Sequence, residues 1–75
     1  MLGKTKLYNQ DKGWGFITAD DGKDYYFHIS DIINDEPIQR GQKIPPGRNC
    51  DFDLKEITNR RQERQTVCKN ITIDL

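Results

Sequence analysis

Four ring-bearing residues in two short segments have the spacing of a stacking surface. Trp14 and Phe16 are interleaved with glycines in residues 12–17, and Tyr26 and His28 alternate in residues 24–29. Because side chains alternate between the two faces of a strand, each pair would present its rings on one side. A row of exposed rings of this kind marks a surface for a binding partner.

The turn between these two segments sets their register. Residues 20–22, Asp-Asp-Gly, predict a three-residue hairpin loop in which the glycine takes the left-handed conformation. A hairpin centred on this loop pairs Phe16 with Tyr26 and Trp14 with His28. The sequence therefore predicts that all four rings lie on one face.

The opposite face of this hairpin is the predicted core. Turning Trp14 and Phe16 inward would leave Ile17 and Phe27 in water, so we favour the arrangement in which Trp14 and Phe16 face outward. A glycine weakens a strand interior and often marks a close approach of the backbone, which we expect in this strand. The residues predicted to face inward are Gly13, Gly15, Ile17, Tyr25, Phe27 and Ile29.

The remainder of the chain completes an all-β pattern. Alternating apolar residues point Cys50, Phe52 and Leu54 inward, and place Val67, Ile71 and Ile73 on one face. Residues 30–49 carry frequent proline and glycine, so we expect a long functional or mobile loop with one helical turn at residues 31–33. Five short strands of this kind predict a barrel or a sandwich. The predicted strands are residues 4–9, 14–19, 24–29, 50–55 and 65–73.

The composition predicts one small cytoplasmic domain over residues 1–75. Twelve Lys and Arg balance twelve Asp and Glu, whereas a protein that grips many phosphates usually carries a basic surplus. Neither a signal sequence nor a membrane span is predicted, and we expect Cys50 and Cys68 to be reduced thiols. With one histidine, neither a metal site nor a cofactor is expected. Arg60, Arg61 and Arg64 form a basic spot that we interpret as a solvated turn.

Several segments match the motifs of one family. Residues 12–17, KGWGFI, resemble the first ribonucleoprotein motif of the bacterial cold shock proteins, K-G-F-G-F-I. Residues 24–29, DYYFHI, resemble their second motif, D-V-F-V-H-F, and residues 4–9 resemble the first strand, G-x-V-K-W-F-N. Residues 47–52 and 70–72 are looser matches to G-Q-K-V-S-F and N-V-T.

This resemblance implies a five-stranded antiparallel OB-fold barrel that binds single-stranded RNA or DNA. It also implies stacking on the rings of strands two and three, the same four that the hairpin register places together. Lys4, Lys6 and Lys12 flank this face and are the expected phosphate contacts. The predicted nucleic-acid-binding residues are Lys6, Tyr8, Lys12, Trp14, Phe16, Tyr26 and His28.

The chain departs from the family pattern at positions that bear on affinity. Leu7 replaces a stacking tryptophan, and Ile29 replaces a phenylalanine that also contacts bases. The loop of residues 30–49 is longer than usual and carries Pro37 and Ile38 but no aromatic residue. We therefore expect a narrower binding face.

Three classes of function remain open at this point. The favoured one is a single-strand binder acting as an RNA chaperone or regulator, as a monomer or as a weak, domain-swapped dimer. The second is a protein-interaction module that uses the same aromatic face, because exposed apolar patches mark either kind of partner. An enzyme, or a site for a small-molecule substrate, is disfavoured because the chain lacks a catalytic motif.

Overall fold

The computed structural model describes all 75 residues as a closed barrel of five strands in the order β1-β2-β3-β5-β4. A 3-10 turn, Ile29–Asp31, and a short helix α1, Glu36–Gln39, lie between β3 and β4. The predicted five-stranded OB-fold barrel is confirmed. Its strands are β1 Leu2–Asn9, β2 Trp14–Ala19, β3 Asp24–His28, β4 Asn49–Thr58 and β5 Arg64–Ile73.

All strand pairs are antiparallel except the one that joins β3 to β5. That pair is parallel and short, with Tyr26 beside Val67. The β2–β3 hairpin has the predicted register, with Phe16 opposite Tyr26 and Trp14 opposite His28. Gly22 in its loop adopts a φ of 83°, the left-handed conformation that the turn requires.

The core of the barrel contains residues predicted to face inward from β2, β3 and β4. Phe27, Phe52 and Ile17 are fully buried, and Cys50 is 4 % exposed. None of the helical segments is long and apolar enough to span a lipid bilayer.

The prediction that Val67 shares the inner face with Ile71 and Ile73 is wrong. The register of β4 against β5 shifts by one residue where Asn70, at a φ of 52°, bulges out of the ladder. A one-residue bulge exchanges the two faces of a strand. Cys68 therefore points into the core, and Val67 is buried outside the core cluster.

Residues 30–49 form a cover on the barrel, and their three buried isoleucines join the core: Ile32, Ile38 and Ile44. The Asn34 side chain pairs with the backbone of β5 as a strand residue would. Its Nδ2 atom donates to the Ile73 carbonyl (2.7 Å), and its Oδ1 atom accepts from the Ile73 N–H (3.1 Å). The helical turn expected at residues 31–33 lies two residues earlier. Its shift follows from Ile32 pairing with Ile71 in an isolated parallel bridge.

Candidate nucleic-acid interface

Three rings form one cluster on the outer face of the β2–β3 hairpin. The Trp14 ring lies 5.8 Å from Phe16 in an edge-to-face arrangement and 6.1 Å from Tyr26 in a nearly parallel one. Phe16 and Tyr26 meet edge to face at 6.1 Å. All three side chains are half-buried, so each keeps part of its ring surface open to solvent. We call these three residues the aromatic cluster.

A glycine lies between two residues of the aromatic cluster and allows neighbouring parts of the barrel to approach β2 closely. A Cβ atom on Gly15 would lie 2.3 Å from the Leu7 carbonyl oxygen and 2.9 Å from two carbons of the Phe27 ring. Only glycine lets β1 and Phe27 approach β2 so closely at this point. The close approach predicted for this glycine-rich strand is therefore present directly between Trp14 and Phe16.

Leu7 lies at the edge of the aromatic cluster. A bulge at Lys6 shifts the β1–β2 register by one residue, and this places Leu7 directly opposite Phe16. Opposed residues of an antiparallel pair share a face, so Leu7 extends the outer apolar surface. Its side chain is 44 % exposed.

Tyr8 lies apart from the other predicted site residues. It is opposite Gly15 on the inner side of β1, and its ring stacks on Phe27 at 5.9 Å with an interplanar angle of 10°. Burial raises the pKa of Tyr8 above its ordinary value of 10.0. The structure thus brings Tyr8 beneath the face and does not place it in the aromatic cluster.

The lysines predicted to flank the aromatic cluster differ in their pairing. Lys6 donates to the Asp24 carboxylate, which also accepts a 2.7 Å hydrogen bond from the Thr18 hydroxyl. These bonds, the one from Lys6 foremost, hold the pKa of Asp24 below its usual value of 3.8. Lys4 and Lys12 are exposed and form no ion pair. The sequence places both the lysines and Asp24 near this face, but it does not predict that Asp24 pairs with Lys6.

His28 ends β3 opposite Trp14 and is exposed. It begins the 3-10 turn, with its Nδ1 atom 2.9 Å from the Ser30 hydroxyl and 3.1 Å from the Ser30 amide nitrogen. The histidine is thereby held at the margin of the aromatic cluster by hydrogen bonds to its own chain.

The second basic spot lies on the turn between β4 and β5. The Asn59 side-chain oxygen accepts from the amides of Arg61 and Glu63, at 2.9 and 3.0 Å, and so orders the turn. Arg64 lies 3.6 Å from Glu56, while Arg60 and Arg61 form no ion pair. All three arginines are exposed, in agreement with a solvated turn.

Cys50 and Cys68 are buried free thiols of the core. Burial is the main cause that raises the pKa of Cys50 to about 11 and that of Cys68 to about 12. Since the thiolate is the reactive form, both groups are suited to packing rather than to nucleophilic chemistry.

The aromatic cluster forms an open surface and not a pocket. None of the three rings lines any of the three hollows in the molecule, and Lys4 is the one flanking lysine that does. The largest hollow is lined by the ends of β1, β4 and β5 with Asn34 and Pro37. Flat exposed rings suit a ligand that is itself a row of flat rings, whereas a small molecule needs a concave site.

Comparison with known proteins points to one family. The model of the 'Cold-shock' DNA-binding domain matches residues 1–69. Cold shock protein 1 of Lactiplantibacillus plantarum is 46% identical over 44 residues, which cover 56% of this chain and 67% of the relative. Cold shock-like protein CspG of Escherichia coli K12 is 39% identical over 62 residues, which cover 65% of this chain and 89% of that protein.

Proposed function

The chain belongs to the cold-shock domain family, whose members bind nucleic acids, and on that premise we propose that it binds single-stranded RNA or DNA by base stacking. Bases stack on Trp14, Phe16 and Tyr26, with His28 at the margin of the same face. By holding only the unpaired state, such a protein shifts transcripts away from their base-paired forms, which is the action of an RNA chaperone.

The observation that carries this proposal is the aromatic cluster itself. Three rings within 6.1 Å of one another stay partly open to solvent, although the barrel has an apolar interior. Leaving this much ring surface in water is unfavourable, and such patches mark binding sites. Because every base has a π-face, the rings can stack on bases of any sequence. Only unpaired bases expose that face to the protein, so the ligand must be single-stranded.

The same face would also suit a peptide or a second copy of the chain. The exposed cations Lys4, opposite Thr18 on β2, and Lys12, two residues before Trp14, favour a ligand with phosphates. Anisotropy of a labelled single strand, set beside sedimentation of the protein alone, separates the two functions. Self-association without oligonucleotide binding would support the protein-interaction module.

The salt dependence of binding tests how much of the affinity comes from stacking. Each neutralised phosphate of a single strand contributes about −0.7 to the slope of log affinity against log salt. Few free cations flank the aromatic cluster, so we expect a shallow slope, about −1 to −2, with appreciable binding left at high salt. Asp24→Asn releases Lys6 for one more phosphate, so its slope should be steeper by about 0.7 and its affinity at low salt higher.

Asp74→Asn is the matched control, because it removes the same charge from a carboxylate that forms no ion pair and therefore releases no lysine. It should leave the slope as it is in the unaltered protein. A steep slope in the unaltered protein would instead show that many phosphates are neutralised, and would favour a binding site that includes Arg60 and Arg61.

Leu7→Trp is expected to tighten single-strand binding. The larger ring would lie opposite Phe16 and extend the stacking platform across β1. An added platform contributes about 1–3 kcal/mol, so affinity should rise at least fivefold. Leu7→Ile, which adds no ring, is the control. A folded Leu7→Trp protein with unchanged affinity would mean that bases do not reach the β1 edge.

A further inference from the structure

The 3-10 turn after β3 forms hydrogen bonds to one nitrogen of the His28 ring. The backbone amide of Ser30 donates to Nδ1 over 3.1 Å, and the Ser30 hydroxyl lies 2.9 Å from the same atom. A backbone N–H is always a donor, so this contact is favourable only where Nδ1 presents its lone pair. In the neutral ring the proton must then reside on Nε2.

The turn that supplies this amide is itself anchored on two sides. The Asp31 carboxylate accepts from the His28 backbone N–H (3.3 Å) and from the Lys69 ammonium (2.8 Å), which ties the turn to β5. The Ile29 N–H donates to the Gly13 carbonyl (2.8 Å), which ties it to the start of β2. The Asp31 side chain is only 12% exposed and that of Lys69 is 36% exposed, so the contact is partly shielded from solvent.

The other ring nitrogen of His28 is free. Nε2 has no hydrogen-bond partner within the chain, and the side chain is exposed at the open end of the aromatic cluster. A base stacked on Trp14, directly across the strand pair, would bring its edge to this position. The edges of bases carry carbonyl oxygens and ring nitrogens that accept hydrogen bonds.

We propose that the Ser30 backbone amide and the Asp31 carboxylate position the His28 ring so that its neutral form carries the proton on Nε2, and that this Nε2–H donates a hydrogen bond to a base edge. This rests on the function proposed above and assigns His28 a defined role within it. The base next to Trp14 is thereby held by its edge as well as by its face.

The tautomer is measured in the free protein, without any ligand. In ¹⁵N-labelled protein at pH 8, where an ordinary imidazole is neutral, we expect the chemical shifts of an unprotonated Nδ1 and a protonated Nε2. Ser30→Ala keeps the amide and should keep this pattern. Asp31→Ala loosens the turn and should give a mixture of tautomers. A proton on Nδ1 in the unaltered protein would overturn the proposal.

Two substitutions of His28 then test the donor. The side-chain amide of His28→Gln reaches the place of Nε2–H, whereas that of His28→Asn reaches only the place of Nδ1. With a labelled oligothymidine as probe, the Gln variant should bind about three- to tenfold more tightly than the Asn variant, a difference that corresponds to one hydrogen bond. Equal losses would overturn the donor role and leave stacking intact. Absence of binding by the unaltered protein would overturn the proposed function as well.

Discussion

Replacing Phe27 with alanine is expected to lower the free energy of unfolding by about 3–5 kcal/mol, as is usual for a buried aromatic residue. Phe27 is 0% exposed, stacks on Tyr8 and fills the space beneath Gly15. The smaller side chain would leave a cavity directly under the strand that carries the aromatic cluster. The free energy of unfolding of a native protein is about 5–15 kcal/mol, so this loss is a large part of the total stability. Urea unfolding followed by circular dichroism measures it.

Phe16→Ala is the matched control, because it removes the same ring from the opposite face of the same hairpin. Phe16 is half-buried and touches only the outer cluster among the aromatic rings, so its loss should cost far less stability. If Phe27→Ala left the unfolding midpoint unchanged while Phe16→Ala abolished folding, the inner and outer faces would have been assigned the wrong way round.

Phe16→Ala should have its main effect on binding instead, a loss of about 1–3 kcal/mol or about five- to 150-fold in affinity. Phe16 lies between Leu7 and Tyr26 on the outer face and offers one of three stacking surfaces. Tyr26→Ala should behave alike. The effects of the two substitutions will not add, because the two rings are in contact. Anisotropy of a labelled single strand measures the affinity.

Leu2→Ala serves as the control for this experiment. Leu2 is an exposed apolar residue, 62% accessible, at the far end of β1 from the aromatic cluster. Its truncation should leave the affinity unchanged. Equal losses from Leu2→Ala and Phe16→Ala would show that binding depends on general surface apolarity and not on the rings.

The hairpin was the most predictable part of the molecule from the sequence. The Asp-Asp-Gly turn and the two-residue periodicity are local signals, and together they determine which residues face each other. The pairing of Phe16 with Tyr26, and the burial of Ile17 and Phe27 behind them, follow from those signals.

The bulges at Lys6 and Asn70 were not predictable in the same way. A bulge depends on the partner strand, and in β5 it exchanges the faces of Val67 and Cys68 relative to simple alternation. The one signal available was that Val67 and Cys68 are adjacent apolar residues, which strict alternation does not explain.

The packing of residues 30–49 on the barrel could not be predicted from local sequence signals either. Its proline and glycine content indicates a loop, but its isoleucines are buried by contacts with strands distant in the sequence. The same holds for the Lys6–Asp24 ion pair, which joins residues 18 positions apart through a register that had to be known first.

The most direct test of the aromatic face uses Trp14, the only tryptophan of the chain. Its emission is followed while a pyrimidine-rich single strand, or the duplex of the same sequence, is added. We expect strong, saturable quenching by the single strand and far less by the duplex, since only unpaired bases can stack on the ring. Equal quenching by the two would contradict the account.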